Sequence, residues 1–113
     1  MNTRAMRSDE VLAARVREGL TGTRRVQEKK MFGGVAFMVG GKMCVTVGHG
    51  RMMCRVDPAR HDTLVQRKGC RTMTMRGREY RGYVIVDAAA LRTRAVLQRW
   101  LALALEFNRQ IRR

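Results

Sequence analysis

Cys44, His49 and Cys54 stand at even spacing, with four residues between each, and His61 and Cys70 lie further on. Sulfur and imidazole ligands of this kind hold zinc. Zinc sites, however, usually draw on CxxC-like pairs or close His pairs that converge on one point. Here the stretch reads as two strands around a turn. If Val47 faces Met52, then Val45 faces Cys54 and Met43 faces Val56. Cys54 then turns to the core, while Cys44 turns away with Thr46, Met53 and Arg55. On that reading the two thiols share neither a metal nor a disulfide, and no metal or cofactor is expected. A cysteine nucleophile would need His49 or His61 beside Cys44, and an acid to orient it. The chain has only nine acids in 113 residues, and no carboxylate pair stands out for acid–base work, so no enzyme is expected.

Two glycine pairs invite a second chemistry. Gly33-Gly34 follows two lysines in EKKMFGGVAF, and Gly40-Gly41 precedes Lys42. A phosphate loop needs a longer glycine frame that opens a helix, so that amides and the helix end converge on the anion. An apolar strand-like run follows here instead. Met31, Phe32, Gly33 and Gly34 therefore read as a structural motif. It is a bend that turns a charged strand into the core, with Phe32 as its anchor.

Charge is the third candidate chemistry. Lys and Arg total 24 against nine acids, a net charge of +15. Such an excess attracts polyanions in a non-specific, salt-sensitive way. Arg24, Arg25, Lys29 and Lys30 cluster near the first strand, and Arg76, Arg78 and Arg81 near a later turn. These seven are the candidate nucleic-acid contacts. Aromatic residues are only 5%, and no helix-turn-helix, zinc finger or RNA-binding aromatic motif occurs. Backbone contact without sequence preference is the mode expected.

The elements that must carry these groups follow from pattern. Ser8-Asp9-Glu10 reads as the start of a helix, with Ser8 as cap and Val11, Leu12, Val16 and Leu20 as its apolar stripe. Residues 24–31 suit a charged edge strand. Residues 35–39, 43–47 and 51–56 form a meander, broken at Gly40-Gly41 and at Gly48-His49-Gly50. For the first hairpin the register stays open: a two-residue turn places Met38 on the core face, and a longer loop places Phe37 there. Asp57-Pro58 opens a second helix, running to about Arg67. Residues 70–75 and 80–87 form a hairpin across the turn RGRE. A last helix spans about Thr93 to Ile111, with Leu97, Trp100, Leu101, Ala104, Phe107 and Ile111 on one face. The expected fold is a single α+β domain over residues 1–113. Its antiparallel sheet, a meander plus a hairpin, packs in two layers against N-terminal, middle and C-terminal helices. No apolar run approaches the roughly 20 residues of a membrane span, and the N-terminus has no secretory segment, so the chain is placed in the cytoplasm.

Four segments together resemble the N-terminal domain of the TfoX/Sxy family: KKMFGGVAFMVGGKMCVTV, MMCRVDPARHDTLV, GREYRGYVIVD and the Trp100 helix. The likeness spans about residues 9 to 108, and it implies a small α+β domain with no defining enzymatic reaction. It also implies regulation of natural competence, because two-domain relatives act with a cyclic-AMP receptor protein at promoters. The expectation is a stand-alone version of this domain, without the second domain of those relatives.

The functional expectation is a non-enzymatic regulatory or adaptor domain that binds protein, with nucleic acid as an additional contact. Nine methionines, with Met38, Met43, Met52 and Met53 in the sheet, offer an adaptable partner surface or a route to homodimers. The alternative is a small-molecule or redox-responsive domain that uses the sheet face near Cys44.

Overall fold

A computed structural model describes residues 3–31 and 33–112, with side chains from Ser8 onward. Helix α1 spans Thr3–Gly19, and strands β1 to β4 follow at Val26–Met31, Gly34–Val39, Lys42–Gly48 and Arg51–Arg55. A 3-10 turn at Pro58–Arg60 leads into the single helical turn α2, His61–Leu64. Strands β5 (Cys70–Met75) and β6 (Arg78–Asp87) come next, then a 3-10 turn at Ala88–Leu91 and helix α3, Arg94–Ile111. The six strands form one sheet in the order β1-β2-β3-β4-β6-β5, antiparallel throughout. This is the α+β domain that the pattern implies, with the charged first strand at an edge.

Two-residue turns join the hairpins. Gly40-Gly41, His49-Gly50 and Arg76-Gly77 all have positive φ at both positions, the geometry whose twist matches that of the flanking strands. The last of these is tighter than the expected RGRE turn, since Arg78 already pairs with Met75. Gly34 is required for a different reason. A Cβ there would run into the Val47 carbonyl oxygen and come within 3.0 Å of the Gly48 Cα, where two strands pass backbone to backbone.

Two irregularities shape the sheet. Phe37 pairs with Val45, but Met38 pairs with Met43, so Cys44 is an extra residue in β3. This bulge settles the first hairpin in a way that neither alternative describes. The turn has two residues, yet Phe37 faces the core, because the bulge reverses the alternation between the turn and Val45. In β6, Thr72 pairs with Val84 and Met73 with Tyr80, leaving Arg81, Gly82 and Tyr83 without partners on β5. His61 stands in for the missing strand. Its Nδ1 accepts from the Gly82 N–H at 2.9 Å, so the proton sits on Nε2, which meets the Thr72 hydroxyl at 2.8 Å.

Helices α1 and α3 lie together on one face, and Leu12, Val16, Leu97, Trp100 and Leu101 join Phe37, Val45, Met52, Cys54, Val84 and Val86 in one core. Thr93 caps α3 by accepting from the Val96 N–H. Asn108, fully buried, donates to the Val39 carbonyl at 3.1 Å and ties α3 to β2. No helix among the described residues is long and apolar enough to cross a membrane.

Several expectations change. Helix α1 begins at Thr3, so Ser8 lies inside it and is not its cap. Val11 is 56% exposed, and Ala13 takes its place against the sheet. Helix α2 ends at Leu64 rather than near Arg67, because the chain tightens there into three-residue turns, with the Gln66 and Arg67 N–H groups donating to the Thr63 and Leu64 carbonyls. Asp57 does cap the turn before it, accepting from the Ala59 N–H. On α3 the stripe runs through Asn108, while Phe107 and Ile111 are half-buried. The role foreseen for Phe32 lies outside the described residues.

Substituting Gly34→Ala forces two strands apart and is expected to lower stability by about 3 kcal/mol or more. The cap variant Thr93→Ala should cost about 1 kcal/mol. Urea denaturation followed by circular dichroism checks both values and their order.

Candidate functional site on the uncovered sheet face

The cysteine constellation dissolves first. Cys44 is as buried as Cys54, at 1% and 0% exposure, and both belong to the core on the helix side. The expectation that Cys44 faces away from the core is therefore wrong. It rests on strict alternation, which the bulge at Cys44 interrupts. Burial pushes the Cys44 thiol up to about 11, with Arg112 nearby opposing the rise, and raises Cys54 well above the ordinary range. Cys70, half-buried, is raised by burial to a lesser degree. All three are free thiols. Among the described residues, no group of three or more His, Cys, Asp or Glu could hold a metal ion.

The bend at Gly33-Gly34 opens on a cleft of about 720 Å³ between α1 and the β1–β2 hairpin. Asp9, Glu10, Arg17 and Lys30 ring it, over a floor of Ala13, Val35 and Val47. Two of its polar groups have structural work. Asp9 accepts from the Gly50 N–H at 2.8 Å, which pins the β3–β4 turn to α1. Arg17 meets both carboxylate oxygens of Glu28 at 2.6 Å and holds the edge strand to α1. That hydrogen bonding keeps the Glu28 carboxyl below its usual range, so the tie is complete near neutral pH and weakens as acid protonates Glu28.

The opposite sheet face carries no helix among the described residues. Paired residues cross it in one row, Lys29–Ala36–Thr46–Met53–Ile85–Arg71, reaching from edge to edge. Ala36, Met53 and Ile85 are buried in this row although they lie outside the helix-side core. The sheet curls around them. A groove of about 260 Å³ is lined by Met31 of β1 and by Met73 and Met75 of β5, strands at opposite ends of the sheet order. Met31 and Met75 are the exposed rims, at 37% and 41%. Thr46, Arg51 and Ile85 complete the floor. Flexible, polarisable methionines around a concave strip form a surface that can adapt to a partner's side chains.

The seven candidate nucleic-acid residues lie on several elements and on both faces of the sheet. Arg24 and Arg25 are exposed ahead of β1. Lys29 faces the groove side, while Lys30 lines the α1 cleft on the other. Arg76 and Arg78 are exposed at the β5–β6 tip, across the sheet from β1. Arg81 is paired with Asp62 at 2.9 and 3.2 Å. The pattern of the sequence placed Met53 on an outward face but did not foresee the rims. Met31, Met73 and Met75 reach the groove through curvature, which leaves no local trace in composition.

Residues 18–108 match the family model of the TfoX N-terminal domain. Comparisons with curated proteins and with solved structures returned no match.

In native protein near neutral pH, a thiol reagent is expected to modify Cys70 ahead of Cys44 and Cys54, which should react only after denaturation. Rapid native modification of Cys44, mapped by peptide mass spectrometry, would be the contrary result.

Proposed function

We propose that this chain, which belongs to the TfoX N-terminal domain family, is a non-enzymatic regulatory domain that works by binding a partner protein in the methionine-lined groove. The family relation supports a regulatory role, and the resemblance to competence regulators makes transcription its natural setting. One observation carries the groove reading. A curled sheet face has a buried apolar strip, exposed methionine rims and cationic ends at Lys29 and Arg71. With a net charge of +15, the fitting occupant is an acidic segment of the partner that presents apolar anchors. Arg71 is already matched to Asp87 at 2.7 Å, so Lys29 and Arg51 are the cations that meet it.

Affinity capture with tagged protein, followed by reconstitution with the purified partner, tests this. Met31→Glu or Met75→Glu should weaken the complex by about tenfold or more, since each places a carboxylate at an apolar rim against an acidic segment. Val11→Glu, on the exposed side of α1, should leave affinity unchanged. A partner held equally well by the two rim variants would remove the groove from the mechanism.

A second reading, non-specific contact with nucleic-acid backbones, is favoured by the excess of cations alone. It predicts DNA binding whose logarithmic affinity falls linearly with the logarithm of salt concentration, each phosphate contact contributing close to one unit of slope. Absence of binding at low salt would end that reading.

A further inference from the structure

A separate cleft lies between the α2–β5 connection, the 3-10 turn at Ala88–Leu91 and α3. Its volume is about 650 Å³, within the range of small-molecule sites. Four cations stand around it, Arg67, Lys68, Arg92 and Arg99, each from an exposed position. Among the described residues none of the four is in an ion pair, whereas Arg17, Arg60, Arg71 and Arg81 each meet a carboxylate. The one acid on the rim, Asp87, is occupied by Arg71.

Arg67 is held by an aromatic ring, as Arg55 is elsewhere on the domain. Its guanidinium carbon lies 5.6 Å from the centroid of the Trp100 ring, so an aromatic face rather than a carboxylate fixes its place. Such a contact restrains the group without neutralising its charge, leaving its donors for an anion. Ala89, Ala90 and Val96 supply an apolar wall in the same cleft.

We propose that this cleft binds a small phosphate ester whose organic part is apolar or flat, of the nucleoside monophosphate class. Arg67, Lys68, Arg92 and Arg99 meet the phosphate, and the wall of Ala89, Ala90 and Val96 takes the organic group. Charge-assisted contacts from arginine suit a phosphate group, and the wall separates an ester from inorganic phosphate.

Trp100 is the sole tryptophan, so its fluorescence reports on this cleft directly. The 113-residue chain is titrated with AMP, adenosine and inorganic phosphate up to millimolar concentration. Saturable change with AMP, with weaker response to adenosine and to phosphate, is expected. Arg99→Gln, at an exposed position that leaves Trp100 packing intact, should weaken AMP binding by about tenfold or more. Arg24→Gln, which removes the same charge elsewhere, should not. The proposal is overturned by no saturable response to AMP, by equal binding of phosphate and AMP, or by equal weakening in the two variants. A response confined to oligonucleotides and growing with their length would also overturn it, making the patch a backbone contact.

Discussion

A strand presents its side chains with a period of two, so one unmatched residue changes which face its neighbours occupy. Cys44 is that residue in β3, and much of the domain depends on it. Because β2 and β3 shift past each other there, Phe37 enters the core across a two-residue turn that would otherwise bury Met38. The thiol itself is carried into the core, where burial makes it a small apolar filler rather than a reagent. Beyond the bulge, β3 and β4 keep strict alternation, and this sends Met52 and Cys54 to the helices and Met53 to the open face.

Most of the architecture was legible in the sequence. Alternating strands, glycine turns and the Trp100 stripe each announce themselves locally, and Asp57 and Thr93 are caps by residue type as well as by contact. The errors share a cause. Ser8 looked like a cap because Asp9 and Glu10 follow it, but Asp9 is committed to a distant amide at Gly50. Val11 looked like core because it is apolar, whereas helix rotation against the sheet selects Ala13. Asn108 interrupts an apolar stripe because it must reach the Val39 carbonyl. Each outcome was decided by a partner far along the chain, which no local window contains. The groove is the extreme case. Its rims, Met31 and Met75, border one groove through curvature of the whole sheet.

The charges sort into two groups with different duties. A few acids tie arginines across elements. Glu28 holds α1 to the edge strand, Asp62 holds the β6 bulge to α2, and Asp87 holds β5 to the end of β6. These pairs are exposed, so they orient elements more than they stabilise the fold. With nine acids against 24 bases, many cations stay unmatched, and the cleft beside Trp100 gathers four of them. A row of charged side chains along β1 also discourages pairing of that edge with a second chain.

The imidazole of His61 bridges a gap in the sheet. Across Arg81–Tyr83 the β5–β6 pairing lapses, and a side chain from the helix-covered layer holds both Gly82 and Thr72 in its place. The tip beyond carries Met73 and Met75, which line the groove on the opposite face. One ring on the helix-covered side therefore braces the strand pair whose tip borders the groove. Packing on one face and a groove on the other thus share a joint that a simple six-stranded ladder would not possess.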